Sequence, residues 1–86
     1  MTKSSDFLDE YGNPAKKGFY VVMASFKNKD YADRLKAQKN YKSVFNKVRN
    51  FHYVYIKRHE AYDLAKDQLI KKARKEAEDS WIYILR

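Results

Sequence analysis

The stretch Phe19-Tyr20-Val21-Val22-Met23-Ala24-Ser25-Phe26 decides how this chain is read. Branched and aromatic side chains pack well on a pleated surface, so the run predicts a strand over about Phe19–Ser25. Successive strand side chains point to opposite faces. Phe19, Val21 and Met23 therefore share one side, and Tyr20, Val22 and Ala24 the other. The pattern returns at Tyr53-Val54-Tyr55-Ile56, thirty-three positions on if Tyr20 is laid over Tyr53. Ala32 follows Tyr20 by twelve residues, as Ala65 follows Tyr53. Each half reads as a strand followed by a helix whose alanine permits close approach to the sheet.

Outward from this stretch the elements alternate. Asn28 and Asp30 offer capping oxygens for a helix over about Lys29–Lys39, with Ala32 and Leu35 on its apolar face. A weaker strand follows at Ser43–Val48, a tight turn at Asn50, and a third strand over Phe51–Lys57. Ala61, Leu64, Ala65, Leu69, Ala73 and Ala77 keep helical spacing from Glu60 to about Glu78, with charges opposite. Trp81-Ile82-Tyr83-Ile84-Leu85 alternates cleanly as a last strand. The order strand, helix, strand, strand, helix, strand predicts an α+β, ferredoxin-like βαββαβ fold. Its four-stranded antiparallel sheet would carry both helices on one face. Residues 1–17 hold the turn residues Gly12-Asn13-Pro14 with no apolar period before them, and are read as a linker or tether. Phe7, Leu8 and Tyr11 are its only candidates for docking. Residues 18–86 form the domain.

Composition bounds the function. Eighty-six residues, 44% of them hydrophobic, make one small domain, and a chain of this size buries roughly 60–65% of the surface it exposes unfolded. The absence of cysteine excludes disulfides and thiolate metal sites. No apolar run approaches the roughly 20 residues of a membrane span, so no membrane insertion is expected. Met1 to Asp6 lacks the apolar stretch of a signal peptide, which leaves a cytosolic protein or a piece of a longer, targeted one. The net charge of +8 raises the local concentration of anionic partners.

Parity then predicts the faces. Burial of aliphatic side chains against the helices assigns Val21, Met23, Val54, Ile56, Ile82 and Ile84 to the core, with Val44 and Val48 on the second strand. Tyr20, Val22, Tyr53, Tyr55, Trp81 and Tyr83 are left on the opposite, open face, with Phe45, Lys47 and Arg49 outward beside them. A contiguous aromatic surface edged with cations marks an interaction site.

The phrase Gly18–Phe26 followed by Ala32 and Leu35, repeated as Tyr53–Ile56 with Ala65 and Leu69 and closed by Trp81-Ile82, resembles a SPOR (sporulation-related repeat) domain. The resemblance spans Gly18 to Arg86. It implies a noncatalytic module of the bacterial periplasm or cell envelope, part of a larger protein, whose partner is the glycan strand of peptidoglycan. The implied site is Tyr20, Val22, Tyr53, Tyr55, Trp81 and Tyr83, whose rings stack on apolar sugar faces. Lys47, Arg49 and Lys57 would attract the lactyl carboxylate of muramic acid. Val22 stands where such domains often carry glutamine, and Ala24 and Lys57 where they often carry glycine.

A rival partner is single-stranded RNA. Arg49-Asn50-Phe51-His52-Tyr53-Val54-Tyr55-Ile56 matches the basic, aromatic and valine places of an RNA-recognition-motif strand, but lacks both glycines and the last aromatic. A protein-interaction domain is the third alternative, and the expected state is monomer or weak dimer. No cofactor is implied. His59-Glu60-Ala61-Tyr62-Asp63 falls short of a zinc motif because Asp63 replaces the second histidine. His52 has core-edge parity, and no nucleophile or acid–base pair stands out.

Overall fold

The computed structural model describes residues 6–86. The described residues are α+β, with two helices and one five-stranded antiparallel sheet. Its elements are β1 (Phe7–Leu8), β2 (Gly18–Phe26), α1 (Lys29–Lys39), β3 (Lys42–Asn46), β4 (Phe51–His59) and β5 (Trp81–Leu85). The second helix, between β4 and β5, joins α2 (Tyr62–Gln68), a π-helical stretch (Leu69–Ala73) and α3 (Arg74–Glu76). Strand order across the sheet is β1-β3-β4-β2-β5.

Local chemistry explains the boundaries. Asn28 caps α1 with its side-chain oxygen, which accepts the Asp30 N–H at 2.8 Å. Asn40 ends the same helix in the left-handed conformation, which asparagine adopts more readily than other non-glycine residues. The β3–β4 turn is built by Asn46, whose Oδ1 accepts the N–H groups of Val48 and Arg49 at 3.0 and 3.2 Å. Asn50 closes it at φ 60°. In the second helix Ala65, Leu69 and Ala73 are buried at a spacing of four, and pack with Val21 and Met23. Leu64 departs from its expected place on that stripe and is 58% exposed. The stripe is only one residue wide, so Leu64, about 100° around the helix from Ala65, looks outward.

β2 and β4 do not pair in one register. Tyr20 faces Arg58, Val22 faces Tyr55 and Ala24 faces Val54, so the pairing slips by one residue and then back. The two irregularities lie either side of Val22. They bend the sheet where the aromatic residues are densest, and bulges of this kind increase strand twist.

Several expectations are corrected. The sheet has five strands, because Phe7 and Leu8, expected in the linker, pair with Asn46 and Phe45 of β3. Residues 6–17 are therefore part of the folded domain, while residues 1–5 of the expected linker lie outside the described residues. Lys47, Val48 and Arg49 belong to the turn and not to a strand, so Val48 is 64% exposed. On β3 the expected parity is reversed. Val44 faces Tyr53 across the ladder and joins the aromatic side, while Phe45 faces His52 with ring centroids 4.6 Å apart. The Asn46 turn sets that register. Ile84 is 41% exposed and not core, because β5 is an edge strand at the sheet's margin.

Candidate functional site

The aromatic side of the sheet is a second core. Tyr20, Val22, Val44, Tyr53 and Leu85 are buried there together with Phe7 and Ala15 from the N-terminal segment. The Phe7 ring lies 6.1 Å from Tyr53 and 5.0 Å from Tyr83. Since β1 and β5 stand at opposite ends of the strand order, this contact requires the sheet to curl until its margins share side-chain contacts. Tyr53 in turn meets Tyr83 at 5.4 Å and Trp81 at 5.6 Å. Aromatic pairs at these distances add roughly 0.5–1.5 kcal/mol each beyond the area they bury.

This geometry corrects the expected open face. Tyr20, Val22 and Tyr53 are 3%, 0% and 5% exposed, so they are structural and do not face solvent. The physical reason is the N-terminal segment, which crosses from β1 to β2 over their side of the sheet. Its Ala15 N–H donates to the Phe7 carbonyl at 2.8 Å, and the Tyr20 hydroxyl donates to the Lys16 carbonyl. Tyr55, Trp81 and Tyr83 remain half-buried, and Lys47, Arg49 and Lys57 are exposed.

The remaining expected contacts separate into two places. Arg49 lies near Tyr83, whose phenol is raised chiefly by burial and held down in part by that guanidinium. Lys27 stands over the Phe51 ring at 5.6 Å. Tyr55 and Lys57 line a cleft of about 530 Å³ elsewhere on the molecule, floored by Tyr20 and Val44. Its other cations are Lys16, Lys42 and Arg58, and its outer wall is Asp9, Glu10 and Tyr11.

The charges in this cleft are unequally engaged. Asp9 Oδ1 accepts the N–H groups of Tyr11 and Asn13 at 2.9 and 3.0 Å, shaping the turn. Glu10 pairs with Lys36 at 3.0 Å. Arg58 donates to the Lys17 carbonyl and to Glu60, both at 2.7 Å. Lys16, Lys42 and Lys57 form no ion pair among the described residues. Burial, then the neighbouring Tyr20 and Glu10, pushes the Tyr55 phenol up to about 12. It is a neutral hydroxyl donor at any physiological pH, its ring packed edge to face with Tyr20 at 4.8 Å, in a cleft that three unpaired lysines also line. Such a surface can stack a sugar ring, donate to hydroxyls and attract a carboxylate.

Lys16, Lys42 and Arg58 were not singled out by sequence. Lys42 stands just before the weak strand expected at Ser43–Val48, and Lys16 in the expected linker, and only the fold brings them together. The histidines are engaged structurally. His59 Nε2 lies 2.7 Å from Gln68 Oε1, and burial, then Lys29, lowers the His52 imidazole. Among the described residues no three of His, Cys, Asp and Glu stand together as a metal-binding group. No helix among them is long and apolar enough to cross a membrane. No family model, curated protein or solved structure matches this chain.

Proposed function

We propose that this chain is a noncatalytic module that binds glycan strands of the bacterial cell envelope, as part of a larger envelope protein. The ligand is held in the Tyr55 cleft instead of across an open sheet. The carrying observation is that cleft, where a half-buried aromatic ring and three unpaired lysines meet in a volume of about 530 Å³. A sugar unit bearing a carboxylate, such as muramic acid stripped of its stem peptide, matches both features.

Kinship with SPOR domains is part of this proposal. It is supported by the equivalence of the two halves in the folded chain. Val21 and Val54 are both 0% exposed, and Ala32 and Ala65 are 1% and 0% exposed. The order β3-β4-β2-β5, with a helix after β2 and another after β4, supports a ferredoxin-like core to which β1 is added at one margin.

The test is co-sedimentation with stem-peptide-free peptidoglycan across a salt series, beside a binding assay with single-stranded RNA. Circular dichroism serves as the folding control. Lys42→Glu, Lys57→Glu and Tyr55→Ala should each weaken glycan binding while the fold is retained. Much of the wild-type glycan binding should survive moderate salt, because stacking is short-ranged. RNA binding falls steeply with salt, because phosphate contacts release counterions. Folded variants that sediment like wild type would falsify the cleft assignment. Glycan and RNA binding that vanish together with salt would reduce the activity to a generic basic surface.

A further inference from the structure

We propose that the outer edge of β5 is an association edge through which two copies of this chain pair antiparallel. The pairing would extend the sheet across a twofold axis. It concerns a different margin of the molecule from the glycan cleft, and stands or falls independently of it.

β5 pairs with β2 along one edge, from Gly18↔Leu85 to Val22↔Trp81, without a register shift. Its other edge pairs with no strand among the described residues. Soluble proteins blunt such edges with lysine, proline, bulges or very short strands, since free N–H and C=O groups recruit further strands. Trp81-Ile82-Tyr83-Ile84-Leu85 has none of these devices: five uncharged residues in regular register. The opposite margin is guarded in the usual way. There β1 is two residues long, Leu8 bridges to Pro14, and Asp9 and Glu10 follow.

Side-chain matching selects a second copy as the occupant. In an antiparallel pair centred on Tyr83, each Ile84 lies opposite the partner's Ile82, and each Leu85 opposite the partner's Trp81. Ile84 is the residue that the protomer leaves 41% exposed, although its neighbour two places back, Ile82, packs with the helix-side core. Pairing would cover it on both copies. The two Tyr83 residues meet at the axis as an aromatic cross-strand pair, a favourable combination. Beyond the apolar run, Arg86 falls opposite the partner's Ser80 and beside the partner's Asp79. An isologous pair repeats each of these contacts twice.

Sedimentation equilibrium of the whole chain over a concentration series tests the proposal, with amide hydrogen exchange following β5. Wild type should associate reversibly to a dimer, and the β5 amides should gain protection as concentration rises. Ile84→Lys should weaken association by about tenfold or more, since it sets a charge among apolar cross-strand neighbours at two places. Ile84→Thr, branched and uncharged, should retain more of it. Arg86→Glu should weaken the dimer, and Asp79→Arg added to that variant should restore it. A wild type that stays monomeric overturns the proposal, as does association unchanged in folded Ile84→Lys. Should Ile84→Lys fail to fold, association unaffected by Arg86→Glu overturns it instead.

Discussion

Phe7 is wholly buried between Tyr53 and Tyr83, and so closes a face that its distant neighbours in sequence leave unfinished. Phe7→Ala should therefore cost about 3–5 kcal/mol by chemical denaturation, the usual range for emptying a buried phenylalanine site. That is a large part of the roughly 4–13 kcal/mol available to a chain of this length. A loss within error of zero would make Phe7 peripheral. Tyrosine chemistry adds a second expectation at the same scale. Tyr41, raised by burial and by donating to Glu76, and Tyr55, raised by burial, both titrate at about 12 instead of the ordinary 10.0. Above pH 10 the unfolded chain releases these protons while the folded chain keeps them. Stability contributed by the neutral phenols is thus complete below pH 10 and lost as pH rises towards 12. Urea denaturation across that window should show the decline, and the double variant Tyr41→Phe, Tyr55→Phe should flatten it. Equal slopes in the two proteins would rule out these phenols as its source.

Among the elements, the two central strands carry the repeat. Val21 of β2 and Val54 of β4 are equally buried, so Val21→Ala and Val54→Ala should lose comparable stability, about 2–3 kcal/mol each. One neutral and one severe result would break the equivalence of the halves. The start of β2 is set by a different constraint. Gly18 adopts φ 146°, and a Cβ there would meet Arg58 Nη1 at 2.7 Å and the His59 carbonyl oxygen at 2.9 Å. Gly18→Ala should cost about 1–3 kcal/mol through backbone strain, before any displacement of Arg58. Because Arg58 also ties the Lys17 carbonyl and lines the cleft, the same change should disturb ligand binding. Unchanged denaturation midpoints would show that the strand entrance adapts freely.

At the scale of the molecule, a single sheet separates two cores, one against the second helix and one beneath the N-terminal segment. Removing residues 1–16 should therefore destabilise the protein by several kcal/mol, and by more than Phe7→Ala alone, because it uncovers Tyr20, Val22 and Tyr53 together. The exposed rings should also raise binding of a hydrophobic dye. A truncated chain as stable as the full one would mean that the aromatic side covers itself. The charge of +8 is screened over about 8 Å at physiological ionic strength, so its pull on anionic partners is confined to the immediate surface.

What the sequence by itself determined is what a local period can carry. Alternation set the opposite faces of β2, β4 and β5, and spacing of four set the Ala65, Leu69 and Ala73 stripe. Asn28 marked the start of α1, and Asn50 the β3–β4 turn. These signals are short-range and survive without knowledge of neighbours. Whether a face is open was decided only by the tertiary structure, because cover comes from elsewhere in the chain. Phe7-Leu8 is too short to show any period, yet its pairing with β3 buried three of the residues expected to meet a ligand. The parity of β3 was settled likewise by the Asn46 turn and its pairing with β4, which a five-residue strand does not announce. Lys57 and Arg58 follow Tyr55 closely in sequence, but Lys42 reaches it only through the β3–β4 pairing, and Lys16 only because the N-terminal segment crosses over the curled sheet.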